Sequence, residues 1–165
     1  MTEALLLPSG LLRFQGQNYR AALGRAGVSP TKHEGDGITP LTVLPLRRVF
    51  YRADRIAKPR CAKPVEALAP NEGWCDDPRD PNYNRMVRLP YAANHEALWR
   101  EDPLYDLIGV LGWNDAPVER GRGSAIFLHV ATPDYAPTAG CVALALGDLL
   151  AILAAGLTAI RVHLP

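Results

Sequence analysis

The chain has 165 residues, of which 48% are hydrophobic and 21% charged, values that are ordinary for a globular protein. That length predicts one domain over residues 1–165, with a core large enough to be stable without disulfides or metals. Eighteen basic and seventeen acidic side chains nearly cancel, so we expect neither nucleic acid nor a membrane surface among its partners.

The cysteines are three, Cys61, Cys75 and Cys141. An odd number cannot pair completely, and no Cys/His group has the spacing of zinc ligands. The turn-forming residues His33–Asp36 resemble a metal site only loosely, and their glycine-rich context favours a structural hairpin. We therefore expect no disulfide framework, no metal and no cofactor. A role in chemistry remains an alternative for one of the cysteine thiols.

The N-terminal segment lacks the features of an export signal. Its apolar triplet Leu5–Leu7 has no basic region before it and is interrupted at once by Pro8. No stretch of the chain approaches the roughly 20 apolar residues of a membrane span. We expect a cytoplasmic protein, or a periplasmic one if the sequence given lacks an export segment.

Short apolar or β-branched runs between turns predict a β-rich fold. Ala125–Val130 is a continuous apolar run of the length expected for a buried strand. In chain order, the predicted strands are Leu11–Phe14, Tyr19–Arg25, Thr42–Tyr51, Val87–Leu89, Tyr105–Leu111, Ala125–Val130 and Thr158–His163.

Helical spacing of apolar residues is clearest near the C-terminus. It predicts a helix over Gly147–Ala155, with Asp148 near its positive end and Gly156 after it. Asn94–Arg100 is predicted to form one or two helical turns. The predicted fold class is therefore mainly β, or α+β, with a helix after Cys141.

The residues best suited to chemistry are His129, at the end of the buried strand, and Cys141, twelve positions later. A nucleophilic cysteine reacts as its thiolate, which a neighbouring imidazolium stabilises, so we expect a lowered pKa at Cys141. Gly140 lets the chain turn sharply before the cysteine and brings backbone N–H groups close to a substrate carbonyl. From the residues alone, a structural histidine and a buried core cysteine remain the alternative.

The segment from Ser124 to Leu144 resembles the catalytic signature of the L,D-transpeptidase (YkuD-like) family, a strand histidine followed by Ser/Thr-x-Gly-Cys. The resemblance extends over about residues 11–153 and implies a β-sandwich catalytic domain. The other stretches that carry it are Lys32–Pro40, Gly73–Asp77, Tyr83-Asn84, Tyr105-Asp106 and Gly121–Val130.

The resemblance implies a role for each residue of the signature. Cys141 is the nucleophile, His129 is the general base, and the N–H groups of Gly140 and Cys141 form the oxyanion hole. A main-chain carbonyl from the loop after His129 orients its imidazole. Two positions depart from the family pattern, because Ala139 replaces a frequent histidine and Ala143 a frequent Arg or Asn.

Another group of candidate residues, 74–77 and 83–85, lies at the end of residues 53–84, a region without clear periodicity that is rich in proline and charge, and includes the next residue, Arg85. One interpretation is a substrate wall, with an indole platform and polar side chains that bind peptide ends. The alternative is a structural loop, in which Cys75 is a buried thiol. The predicted substrate contacts are Trp74, Tyr83, Asn84, Arg85 and, in the signature, Thr138.

The resemblance implies a peptidoglycan tetrapeptide stem as substrate, cleaved between the L-centre of its third residue and D-alanine through a thioester. We expect an L,D-carboxypeptidase of murein recycling that acts on soluble muropeptides. One alternative is an L,D-transpeptidase that forms cross-links or exchanges D-amino acids. Another is a non-catalytic module that binds peptidoglycan peptides, which the pairing of Cys141 with His129 disfavours.

Overall fold

A computed structural model describes residues 2–165 and consists mainly of β-strands. A single turn of 3-10 helix, Pro103–Tyr105, precedes β11, and the helix α1 spans Leu146–Ala154. The strands are β1 Glu3–Leu6, β2 Leu11–Phe14, β3 Gln17–Ala22, β4 Val28–Ser29, β5 Thr39–Pro40, β6 Val43–Tyr51, β7 Val65–Ala67, β8 Glu72–Cys75, β9 Met86–Arg88, β10 His95–Ala97, β11 Leu107–Leu111, β12 Phe127–Val130, β13 Val142–Leu144 and β14 Ala159–Val162.

The large sheet has the strand order β11-β12-β13-β3-β2-β1-β14-β6-β7, and β11 also pairs with β6. Two strands take part in both halves of this closed arrangement. The start of β3 pairs with β2 and its end with β13, while β6 pairs with β14 through Val43–Pro45 and with β11 through residues 46–51. Strands that pass between layers in this way join the two sheets of a sandwich at its corners.

Strand β12 is buried on both of its faces. Leu128 and Val130 belong to the core between the layers, whereas Phe127 belongs to a second apolar cluster outside them. Because side chains alternate along a strand, His129 lies on the same face as Phe127. The apolar run in the sequence therefore gives one strand that serves both the core and the second cluster.

The second cluster is covered by a three-stranded sheet in the order β10-β8-β9. Trp74 of β8 packs edge-on against Phe127, with ring centroids 5.2 Å apart. Cys141 is part of the same cluster, at 8% exposure. The small sheet thus encloses the outer face on which the predicted nucleophile and base lie.

The predicted mainly-β fold with a helix after Cys141 is confirmed. Helix α1 begins one residue before the predicted Gly147–Ala155, and its buried residues Leu149, Ile152 and Leu153 pack into the core. Gly156 follows with a φ of 97°, a conformation that glycine adopts without strain. No helix among the described residues has the length and hydropathy that crossing a bilayer requires.

Three local predictions were wrong. Asn94–Arg100 contains strand β10 and no helix, because His95 and its neighbours pair with β8. The turn after His33 does not form a hairpin, because β4 and β5 on either side of it pair in parallel. The predicted strand Tyr105–Leu111 begins only at Leu107, since Tyr105 closes the 3-10 turn.

The Leu128 side chain is fully buried between the two layers. Leu128→Ala should lower the free energy of unfolding by about 2–5 kcal/mol, because it removes apolar contacts and leaves a cavity. Urea denaturation followed by circular dichroism measures the change. The matched control is Leu164→Ala, at a side chain that is 50% exposed, and a similar loss in both variants would contradict this placement of the core.

Candidate active site

Cys141 and His129 line one cavity of about 290 Å³. The cavity lies at the edge of the second apolar cluster and has charged as well as apolar walls. Its other lining residues are Lys32, Glu34, Gly35, Asp76, Glu96, Arg100, Leu104, Tyr105, Ser124, Ala125, Thr132, Ala136, Pro137, Thr138, Ala139 and Ala143. A pocket of this size, lined by a thiol, an imidazole and several polar groups, is suited to binding a small substrate.

Parallel pairing of β12 with β13 brings the two predicted catalytic residues together. The register sets Leu128 opposite Val142 and His129 opposite Ala143, so Cys141 lies beside Phe127. The backbone N–H of Phe127 donates to Cys141 Sγ over 3.4 Å. The parallel pair thus brings two residues that are twelve positions apart in sequence to the same cavity.

A tight turn before Cys141 depends on Thr138. Thr138 Oγ1 donates to the Cys141 carbonyl over 2.7 Å and accepts the Gly140 N–H over 3.1 Å. Gly140 has a φ of 133°, and a Cβ there would lie 2.7 Å from the carbonyl oxygen of Ile38. Only glycine fits this position, which explains the Gly-Cys pair in the sequence.

The thiol of Cys141 is protonated in the resting structure. It donates to the carbonyl of Ala125 over 3.2 Å, and burial together with the carboxylate of Glu96 raises the pKa of Cys141 to about 12. The prediction of a lowered pKa was therefore wrong for the free protein. A dry site disfavours the thiolate more strongly than its surroundings stabilise it.

His129 is held by its own strand. Its Nδ1 lies 2.9 Å from the Val130 carbonyl, and its ring packs edge-on against Tyr105 with centroids 5.4 Å apart. The orienting carbonyl was predicted to come from the loop after His129. It belongs instead to Val130, the last residue of β12. Burial lowers the pKa of His129, so the imidazole is neutral, and an Nδ1–H bound to Val130 leaves Nε2 as the basic nitrogen.

The two predicted oxyanion donors differ in their resting contacts. The Gly140 N–H donates to Thr138 Oγ1, so in this state it is directed at a side chain of the protein. The Cys141 N–H stays the predicted donor to the substrate oxygen. An oxyanion hole with Gly140 as its second donor requires that the bond to Thr138 opens.

The predicted substrate contacts separate into two groups. Thr138 lines the cavity of Cys141, whereas Trp74, Asn84 and Arg85 line a different cavity of about 390 Å³. Tyr83 is 2% exposed; its hydroxyl donates to Glu34 and accepts the Gly123 N–H. For Trp74, Tyr83 and Asn84, this placement favours the alternative interpretation, a structural loop.

Asn84 is connected to Cys141, the predicted nucleophile, through the backbone of Ala125. Its Oδ1 accepts from Trp74 Nε1 over 3.0 Å and from the Ala125 N–H over 3.1 Å, while its Nδ2 donates to the Trp113 and Asn114 carbonyls. Ala125 has a φ of 53°, which is strained for a residue with a Cβ, and its carbonyl accepts the thiol of Cys141. Asn84 therefore fixes the strained residue that orients the thiol.

Five charged residues of the cavity were missing from the predicted site. Lys32, Glu34 and Asp76 lie in stretches whose resemblance to the family was noted, and this was the available signal. Glu96 and Arg100 lie in the segment predicted as helical. Glu96 in fact lies in strand β10, so the wrong helical assignment of this segment gave no indication that Glu96 lines the cavity.

A buried thiol and an imidazole held by a main-chain carbonyl, both lining one cavity, are suited to acyl transfer. The family model of the L,D-transpeptidase catalytic domain, YkuD, matches residues 10–162. Because this match spans nearly the whole chain, the protein belongs to that family, whose members are cysteine-based enzymes acting on peptidoglycan. Comparison with curated proteins and with solved structures found no match. Residues 2–165 contain no group of three or more His, Cys, Asp or Glu side chains that could hold a metal ion.

Alkylation of Cys141 by iodoacetamide should rise through an inflection above about 8.5, the ordinary pKa of a cysteine, because burial disfavours its thiolate. Peptide mass spectrometry across a pH series separates its modification from that of Cys61 and Cys75. An inflection below that value at Cys141 would show a thiolate–imidazolium pair in the free protein.

Asn84→Ala should lower the free energy of unfolding by about 2–4 kcal/mol, since it leaves buried partners such as Trp74 Nε1 and the Ala125 N–H unpaired. It should also speed alkylation of Cys141 at fixed pH, because Ala125 is no longer anchored. Asn18→Ala, at an exposed position of β3, is the control for both measurements. Wild-type alkylation in a folded Asn84→Ala protein would show that Asn84 does not act on the thiol.

Proposed function

We propose that this protein cleaves peptidoglycan tetrapeptide stems between the L-centre of the third residue and D-alanine, through a thioester on Cys141. The observation that carries the proposal is that Cys141 and the carbonyl-oriented His129 line the same cavity. Membership of the family supports the substrate class. The resting thiol and imidazole are both neutral, and this state is competent for general-base attack.

Acylation begins when the carbonyl carbon of the third residue lies next to Cys141 Sγ. The thiol proton passes to His129 Nε2 as the sulfur–carbon bond forms, and the carbonyl oxygen becomes an oxyanion that the Cys141 N–H stabilises. The carbon–nitrogen bond then breaks, and His129 returns the proton to the departing amine of D-alanine. A thioester on Cys141 remains.

Deacylation uses the same base. His129 Nε2 takes a proton from water as the water oxygen attacks the thioester carbonyl, and the carbon–sulfur bond breaks. The proton then passes to Sγ, which restores the neutral thiol and releases a tripeptide. The same steps with an amine in place of water give transpeptidation.

We propose that water is the main acceptor. Ala139 and Ala143 line the cavity next to Cys141 and supply only methyl groups at positions where relatives often have polar side chains. Water is present at tens of molar, so an amine competes only where a protein binds and orients it. This favours L,D-carboxypeptidase action over cross-linking, and a cytoplasmic role in murein recycling stays part of the proposal.

Purified protein with tetrapeptide and an excess of D-amino acid or diamino acceptor should give tripeptide as the main product, quantified by mass spectrometry. Cys141→Ala should abolish cleavage, because it removes the one thiol among the residues that line this cavity. Cys75→Ala should retain much of it, since Cys75 lines no part of this cavity and contacts Asp80.

Equal loss of activity in folded Cys141→Ala and Cys75→Ala proteins would disprove the nucleophile assignment. A predominance of exchanged tetrapeptide or cross-linked dimer would replace the carboxypeptidase by the transpeptidase. The two results are independent, because the first concerns the thioester and the second only its acceptor.

A further inference from the structure

The cavity around Cys141 contains charges of both signs. Its carboxylates are Glu34, Asp76 and Glu96, and its cations are Lys32 and Arg100. Several of these groups already have hydrogen-bond partners in the protein. Glu34 Oε1 accepts from Tyr83 and Ser124, Asp76 accepts from Asn94 over 2.6 Å, and the guanidinium of Arg100 is bound to Asp102 through Nε and Nη2.

Glu96 is the carboxylate that acts most directly on the nucleophile. Glu96 and Cys141 line the same cavity, and after burial the charge of Glu96 is the largest cause that raises the pKa of Cys141. One of its oxygens, Oε1, accepts a hydrogen bond from the Tyr105 hydroxyl. A carboxylate has room for about four hydrogen bonds, so Glu96 has acceptor capacity to spare for a donor inside the cavity.

Lys32 is the cation near the same sulfur. Its side chain is only 3% exposed, and its charge acts to lower the pKa of Cys141. Its Nζ donates to Asp36 Oδ1 over 2.8 Å and to the His33 carbonyl over 3.4 Å. An ammonium has three N–H donors, so two contacts leave one for a ligand.

Asp36 divides its hydrogen bonds between Lys32 and the backbone. Its carboxylate also accepts the His33 N–H over 2.6 Å and the Ile38 N–H over 2.9 Å, and the bond to Lys32 followed by these two contacts holds the pKa of Asp36 below its ordinary value. The turn is therefore built to keep a buried ammonium in place at the cavity wall. Such a buried cation is costly unless it has partners of opposite charge or polarity.

We propose that the cavity selects a peptide with opposite charges on the two sides of the scissile bond, an ammonium bound by Glu96 and a carboxylate bound by Lys32. This inference rests on the proposed function, whose substrate has a diamino acid before the bond and a free D-alanine carboxylate after it. Glu96 binds the side-chain ammonium of the diamino acid. Lys32 binds the carboxylate of the leaving D-alanine.

Buried groups that are complementary to a substrate charge discriminate strongly, because an analogue without the charge leaves them desolvated and unpaired. Glu96 and Lys32 therefore supply a selectivity for charge that the methyl groups of Ala139 and Ala143 cannot supply. They also orient the substrate, since exchanging the two ends would place each charge against one of its own sign.

The test compares four tetrapeptides that contain L-lysine as third residue. They are the unmodified peptide, its Nε-acetyl form, its C-terminal D-alaninamide form, and the form with both changes. Tripeptide release by the wild-type protein, measured as kcat/KM, should fall about 10- to 100-fold for each single change, the range expected for one hydrogen bond to a charged group.

Variants assign each effect to one residue. Glu96→Gln should become indifferent to acetylation and keep its preference for the free carboxylate, whereas Lys32→Met should show the converse. Asp76→Asn, which removes another carboxylate of the cavity, should keep both preferences. Because Lys32→Met leaves the Asp36 carboxylate without a cation, the double variant Lys32→Met/Asp36→Asn replaces it where the single variant does not fold.

Equal kcat/KM of the wild-type protein on all four peptides would overturn the inference and leave the proposed function standing. Preferences that persist in Glu96→Gln or Lys32→Met would also overturn it, because other groups then read the charges. An effect of Glu96→Gln that emerges only when an amine acceptor is added would place the ammonium on the acceptor, contrary to the inference. Failure of the wild-type protein to cleave or be acylated by the unmodified peptide would instead disprove the proposed function.

Discussion

The register of β12 against β13 is the constraint on which the site depends. With Leu128 opposite Val142, Cys141 lies beside Phe127, and His129 lies on the face of the second apolar cluster. A shift by one residue would turn every side chain of the strand to the opposite face, so His129 would enter the core and Leu128 the cavity. The packing of Leu128 between the layers therefore fixes the orientation of the imidazole.

Around this strand pair, the positions of the reacting groups are set by backbone contacts and not by charged partners. The Val130 carbonyl holds the imidazole, the Ala125 carbonyl holds the thiol, and the Phe127 N–H approaches the sulfur. Carbonyls and amides keep their dipoles at any pH, whereas a carboxylate partner would titrate. Holding the thiol in this way requires a strained backbone at Ala125. The side chain of Asn84, which accepts a hydrogen bond from the Ala125 N–H, keeps that residue in place.

Local patterns predicted the parts of the structure that depend on local order. The apolar run before Val130 is long enough only for a strand, and the spacing of Leu149, Ile152 and Leu153 fits only a helix. The segment around His95 was assigned wrongly because three residues give no periodicity, and their strand exists only through pairing with β8. Asn84 looked like a substrate contact because a polar residue next to aromatic ones has the same sequence pattern whether it lines a cleft or is enclosed by backbone. The pKa of Cys141 could not be predicted from sequence, since it follows from burial by residues distant along the chain.

The protonated state of the Cys141 thiol has a consequence for the survival of the protein under oxidative conditions. Peroxides and disulfides react with the thiolate, and oxidation of a cysteine beyond the sulfenic acid is hard to reverse. Cys141 is 8% exposed and bonded to the Ala125 carbonyl, and burial raises the pKa of its thiol, so little of it is present as thiolate. We therefore expect this thiol to react slowly with small oxidants in the free protein.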